Sequence, residues 1–331
     1  MLWVELHLPS GIRRVSNEAI ATDSHFWEPY IASFGQFKFA MDTLYGGYVR
    51  PQYGRVELLP SAFLDDWPPP KSFAVTVYWA DHVGDLDYIT LLDGTAVCTD
   101  DRVDGIVYQL YEREFTGRFT DHVYDGAIAG QTGLFVGNAP SIDPNLGASY
   151  ALGDDTNAPL ISYTDTGDQL VLDSLSKTCA AGTHMFYRDV MDGNGLSMVL
   201  VDMFTDNGTM TIDEFDFFST EIRYNSPVSN FRCGDTSVAG SLAVGKDMSI
   251  TPVFNTDAAE LTKGLNRIKQ IMEAPQITVK MPLGTFPKFG QRIELVSEAR
   301  MRPVNVWLRV RGMVIDFDAY QVTLTGDGGI S

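Results

Sequence analysis

The residues of this chain that could do chemistry are few, and the densest group is Asp213-Glu214-Phe215-Asp216-Phe217-Phe218. Two carboxylates about 5 to 9.5 Å apart, one with a raised pKa, would make a glycosidase pair. Adjacent residues of an extended strand point to opposite faces, however, and acids alternating with Phe are also the ordinary pattern of a half-buried strand. Gly208 could stand at the sixth position of a calcium loop, but that register puts Met203 and Thr205 at the first and third, where oxygen-rich ligands are required. Asp192-Gly193-Asn194 is a looser calcium candidate and equally a plain turn. The five histidines (His7, His25, His82, His122 and His184) are scattered without an i, i+4 pair. Cys98, Cys179 and Cys233 form no Cys-x-x-Cys, so a metal centre would need distant segments, such as Cys179 with His184. There is no nucleophile elbow, P-loop or dinucleotide fingerprint. The residues themselves assign no catalytic group, no metal site and no cofactor.

Composition narrows the classes further. The chain has 331 residues, with 24 Lys and Arg against 43 Asp and Glu, a net charge of −19. A surface this acidic repels a polyanion unless its bases are gathered in one place, and no such cluster is visible, so a DNA-coating protein is excluded. With 44% hydrophobic and 11% aromatic residues the chain can build real cores. Its length suggests two domains, or three small β units. The three cysteines cannot all pair within one chain, which points to buried, reduced thiols. The start of the chain has no basic region, and Glu5 and His7 interrupt its apolar run, unlike a secretory signal. No stretch approaches the roughly 20 apolar residues of a membrane span. A soluble chain made in the cytosol is the expectation.

The elements that must position these residues are mainly β. Leu2, Val4, Leu6 and Leu8 alternate with Glu5 and His7 up to the turn at Pro9-Ser10-Gly11; Phe73, Val75, Val77 and Trp79 repeat the period, as do Ile106, Tyr108 and Leu110. Residues 1–125 read as an N-terminal β domain. A Gly-, Asp- and Pro-rich stretch follows from Tyr124 to about Asp155. Alternation returns at Leu160–Tyr163, Gln169–Leu172 and Leu196–Val201, with turn signals at Asp192–Gly195 and Asp206-Asn207-Gly208, so 126–225 reads as a hairpin-rich middle domain. In 226–331, Asp257 and Glu260 form a capping box ahead of Leu261, Leu265, Ile268 and Met272, an amphipathic helix ended by Pro275. Lys263, Arg267 and Lys269 fall on its other faces. Strands follow, the longest from Val304 to Phe317, where Val306, Leu308 and Val310 face inward with Arg309 and Arg311 opposite and the inward parity then flips to Met313, Ile315 and Phe317; a last strand of Tyr320, Val322 and Leu324 ends in Gly326-Asp327-Gly328-Gly329. A β-bulge near Gly312 explains the slip. The expected fold class is mainly β, with tandem small barrel or sandwich domains and one amphipathic helix before the C-terminal sheet.

The last 75 or so residues carry a resemblance. A helix from Ala258-Ala259-Glu260-Leu261 to Ala274-Pro275, then Gln276–Pro282, Phe289-Gly290-Gln291-Arg292-Ile293-Glu294-Leu295, the long strand Trp307–Phe317 and a terminal Val322-Thr323-Leu324-Thr325-Gly326 resemble the C-terminal part of phage tail-hub and minor tail proteins. Gly54–Leu59, the Trp67-Pro segment, Phe73–Trp79, Leu92–Val97 and Gly105–Glu112 are similar to their opening β domain. The resemblance implies a structural virion protein of the tail tip or baseplate, assembled in the host cytoplasm: a ring-forming hub subunit, several copies around the tail axis, joining the tube to the central spike or fibres. Its partners would be other tail proteins (tube, distal tail, spike or fibre), with DNA only as a passenger through the lumen. It implies no catalytic residue, and three cysteines fall short of the four that hold an iron–sulfur cluster in some tail-tip proteins. Phe26, Trp27, Phe34 and Phe37 are the candidate subunit-interface residues, since interfaces favour aromatic side chains and each could equally serve a core. Other readings are a distal tail or receptor-facing module, and a glycan or cell-wall hydrolase resting on Asp213–Phe218.

Overall fold

The computed structural model describes residues 2–21, 25–79, 89–112, 123–124, 127–130, 150–151, 161–164, 169–188, 198–213, 216–242, 244–250, 257–284, 286–296 and 305–330. The fold is mainly β, as the alternation requires. One sheet has seven strands, in the order Gly11–Ser16, Leu2–Leu8, Ser72–Trp79, Ile89–Asp101, Ile106–Glu112, Arg55–Leu58 and Ile31–Phe34. Leu2, Val4, Leu6 and Leu8 are buried on one face, and Phe73, Val75, Val77 and Trp79 join them. Trp3, on the opposite face, is buried too, because Trp27 stacks on it at 5.2 Å.

A second, eleven-stranded sheet takes strands from all three expected ranges, 1–125, 126–225 and 226–331. The hairpin Phe37–Thr43/Gly46–Gln52 pairs on one side with the long strand Val306–Asp316, Phe39 opposite Met313, and on the other with His184–Arg188. Alternation tells which face of a strand is buried but not which strand lies beside it, so this pairing had no sequence signal. The two sheets share one core, closed at Phe317, whose ring meets Phe34 and Phe37 edge-on at 5.1 and 5.2 Å.

The register of Val306–Asp316 against Gln321–Ile330 shifts between Val310 and Gly312, the expected bulge. Gln321–Ile330 continues as a strand through Gly326-Asp327-Gly328-Gly329, where the composition suggested an ending. There the partner strand comes so close that a Cβ at Gly328 would lie 1.9 Å from the Trp307 carbonyl oxygen.

Two α-helices are described. Helix α1, Val171–Ala181, replaces the strand expected over Gln169–Leu172, of which only Gln169–Leu170 is extended. Leu170-Val171-Leu172 fits either period, and the helix wins over the longer run to Ala181. Helix α2, Ala258–Glu273, starts as expected, with Asp257 accepting from the Glu260 amide at 2.8 Å. Leu265 and Ile268 are buried against the three-stranded sheet of Val228–Cys233, Thr236–Ala239 and Lys246–Ser249, and Ile271 belongs to the main core.

Two arginines expected on outer faces are buried instead. Arg267 of α2 pairs with Asp202, donates to Thr183 Oγ1 at 2.6 Å and covers the Phe204 ring at 4.4 Å. Arg311, the residue displaced at the bulge, pairs with Asp327 and donates to the Met203 carbonyl. Asp206-Asn207-Gly208 turns the chain with Gly208 at φ +85°, but joins no hairpin: Thr209–Asp213 runs parallel to Arg292–Val296. Arg267→Met leaves the Asp202 carboxylate buried without its cation, and should cost about 3–5 kcal/mol in chemical denaturation, part of which the double change with Asp202→Leu recovers.

Candidate assembly interface

The chemistry-bearing residues do not converge. Asp213 closes the strand Thr209–Asp213 and Asp216 follows it; both are exposed, and they are joined by a backbone bond from Asp216 N–H to the Asp213 carbonyl (2.9 Å), while Phe217 is buried. Glu214, Phe215 and Asp192-Gly193-Asn194 lie outside the described residues. Cys179 is wholly buried in α1, and desolvation pushes its thiol well above the ordinary range, which keeps it protonated and poor as nucleophile or ligand. His184 is also buried, with Nδ1 2.9 Å from the Gly182 carbonyl and Nε2 3.6 Å from Asp202, so it belongs to the Arg267 network. The three cysteines form no disulfide. Among the described residues no cluster of His, Cys, Asp and Glu could hold a metal, and no helix is long and apolar enough to cross a membrane.

The four aromatic residues proposed for subunit contacts divide. Trp27, Phe34 and Phe37 are spent inside the chain: Trp27 on Trp3, and the two phenylalanines against Phe317, with Phe37 also edge-on to Tyr53 at 5.0 Å. Phe26, next to Trp27 in the short strand Phe26–Trp27, faces the other way and is 59% exposed. Adjacent residues of a strand point to opposite faces, and nothing among the described residues covers the face of Phe26 as Trp3 covers that of Trp27.

The same logic marks a site that composition did not single out. Six strands of the large sheet run in the order Ser219–Arg223, Gln276–Pro282, Gln321–Ile330, Val306–Asp316, Arg292–Val296 and Thr209–Asp213. The outermost two are each paired on one side only among the described residues, which leaves rows of backbone donors and acceptors for a further strand. Ser219–Arg223 is bracketed by two exposed aromatics, Phe218 and Tyr224, and presents Glu221 and Arg223 to solvent as a local pair at 2.7 Å. The available signal was Phe217-Phe218, two successive aromatics of which Phe217 is buried and Phe218 exposed.

On the same sheet, Trp307 lies between two guanidinium groups, Arg292 at 4.5 Å and Arg309 at 5.0 Å, and Asp206 reaches both arginines. Such stacking holds long side chains in one geometry, so this surface is rigid for its polarity.

No protein-family model matches the sequence, and no curated protein matches it. Solved structures do. The 43 kDa tail protein of prophage MuSo2 from Shewanella oneidensis is similar at 13% identity over 98% of this chain and 97% of that one, with a TM-score of 0.57. A tail protein from Neisseria meningitidis MC58 gives 11% identity, 98% and 96% coverage and 0.58. The chain has the phage tail-protein fold. A type VI secretion component of E. coli, itself similar in structure to the T4 tail proteins gp27 and gp5, shares it at 9% identity, over 91% of this chain and 74% of that one, with a TM-score of 0.53. The tail-protein fold therefore extends over nearly the whole chain, the N-terminal sheet included.

Surface and core aromatics should separate in urea denaturation. Phe26→Ala and the double change Phe218→Ala/Tyr224→Ala stay within about 0.5 kcal/mol of wild type, whereas Phe34→Ala or Phe37→Ala each costs about 3–5 kcal/mol.

Proposed function

We propose that the chain is a structural subunit of a phage tail tip, a hub component that assembles in several copies around the tail axis and links the tube to the central spike or fibres. The observation that carries this reading is the tail-protein fold over 98% of the chain, with two tail proteins whose own chains are matched almost end to end. The open edges at Thr209–Asp213 and Ser219–Arg223 support it, because repeated head-to-tail contacts between unlike surfaces are what close a ring. Phe218, Tyr224 and Phe26 are the side chains it assigns to those contacts. The protein acts by holding other proteins in place, not by turning over a substrate.

The net charge of −19 fits this role. A lumen lined with carboxylates repels the duplex, so DNA passes without adhering. Virions assembled without this chain should lack a tail tip and fail to infect, and a low-resolution map of the complete particle should place several copies in a ring on the axis. Infectious, normally tipped particles lacking the chain would overturn the reading, and density for it only at fibre ends would move it to a receptor-facing part.

A further inference from the structure

The two open edges of the large sheet match each other. Thr209–Asp213 runs parallel to Arg292–Val296, and the four pairings from there to Ser219–Arg223 are all antiparallel. An even number of reversals leaves both edge strands running in the same direction, and each is five residues long. Their faces agree as well. Following the register across the sheet puts Met210 and Ile212 on the core face with Thr220 and Ile222, and Asp213 on the solvent face with Glu221 and Arg223. The backbone groups are complementary too. Arg292 N–H donates to the Gly208 carbonyl, so Gly208, Met210 and Ile212 turn toward Arg292–Val296, and the N–H and C=O groups of Thr209, Thr211 and Asp213 face the open edge. At the opposite edge a strand of the same direction leaves the other set free, which on Ser219–Arg223 is Thr220 and Ile222.

The two edges do not serve each other within one chain. Parallel strands need a crossover of a dozen or more residues, and only residues 214–218 separate Asp213 from Ser219. The strand that fits Ser219–Arg223 therefore belongs to a second copy. Side chains set the register. With Arg223 opposite the neighbour's Asp213, Ile222 falls opposite Ile212 and Thr220 opposite Met210, and the backbone pattern closes: Thr220 exchanges bonds with Thr209 and Thr211, Ile222 with Thr211 and Asp213. Phe218, 59% exposed, then lies opposite Gly208, where there is no side chain and only Gln291 comes within 4 Å of a Cβ position. Arg223 already holds Glu221 at 2.7 Å, and a guanidinium with five donors binds a second carboxylate. A slip of one residue would turn the apolar row to solvent. A slip of two either sets Glu221 against Asp213, like charges face to face, or leaves Asp213 without Arg223.

We infer that Ser219–Arg223 of one copy pairs in parallel with Thr209–Asp213 of the next, Arg223 opposite Asp213. Joining one edge to the other makes the contact head-to-tail; it rests on the ring-forming reading above and names the strands that make the ring. The test is sedimentation velocity of the purified full chain over a concentration series. The wild type associates. Asp213→Arg and Arg223→Asp each weaken association about tenfold, because like charges come to lie opposite each other, the first even though it makes the chain less acidic, and the double change Asp213→Arg/Arg223→Asp restores it. In an oxidised mixture of ¹⁴N- and ¹⁵N-labelled Thr211→Cys/Glu221→Cys chains, mass spectrometry finds position 211 of one isotope linked to position 221 of the other, since directly opposed residues of neighbouring strands lie within disulfide reach. Single variants that associate like the wild type, or a double change as weak as the singles, without a 211–221 link, overturn this contact and leave the ring reading standing. A link in assembled tails from Glu221→Cys to a different tail protein gives the edge to that protein and overturns it likewise. A wild type that stays monomeric throughout the series overturns both.

Discussion

The structure depends on two buried guanidinium groups that converge on one short segment. Arg267, from helix α2, binds the Asp202 carboxylate; Arg311, from the bulge of the long C-terminal strand, binds the carbonyl of the next residue, Met203. A buried arginine has five N–H donors and cannot shed its charge, so each must find an anion or carbonyls at fixed geometry. Together they fix Asp202-Met203, at the end of Met198–Asp202, against a helix and a strand from a part of the chain more than 60 residues away. Thr183 shows how tightly. It is a β-branched residue held at φ 56°, a conformation that costs of order 1–3 kcal/mol, and its hydroxyl accepts from Arg267 while its carbonyl accepts from Met203 N–H.

With that segment fixed, the rest of the architecture follows. His184–Arg188 and Met198–Asp202 pair antiparallel, and the first carries Gly46–Gln52 on its other side, which brings the N-terminal hairpin beside the C-terminal strand. The bulge that buries Arg311 also flips the parity of Val306–Asp316, whose first half pairs with Arg292–Val296 and second half with Phe37–Thr43. One irregularity serves both purposes. The long strand thereby joins the C-terminal strands to the N-terminal hairpin in one sheet.

Local features of this design were legible from the residues. The capping box at Asp257 and Glu260, the inward faces of Leu2–Leu8 and Ser72–Trp79 and the bulge beside Gly312 all rest on contacts between near neighbours, and each stands where the pattern put it. What escaped is set by distant partners. Arg267 and Arg311 look like solvent-facing cations until Asp202 and Asp327 are brought to them. Gln169–Leu172 reads as a strand because four residues are too few to separate the two periods. Trp27, Phe34 and Phe37 are interface-like by type, and only the positions of Trp3 and Phe317 show that the chain fills those contacts itself. For Phe218 the successive aromatics Phe217-Phe218 were a signal, but that Phe218 and Tyr224 flank an edge strand shows only once strand order is known.

The internal pairs also decide where the excess charge lies. Arg267 with Asp202, Arg311 with Asp327, Arg50 with Asp42 and Asp173, and Arg309 with Asp206 bring four cations and five carboxylates together, a net of −1, so nearly all of the net −19 is left on the rest of the chain, with fewer cations to offset it. Copies of such a chain repel at a distance beyond the reach of short-range packing, about 8 Å at physiological salt. They can come together only through patches in which charge is balanced and apolar area is offered, and the same excess keeps them from binding indiscriminately to one another or to DNA. In the ring proposed above, an acidic surface with a few neutral contact points acts as a specificity device: it disfavours contacts elsewhere and leaves the proposed lumen repellent to a polyanion.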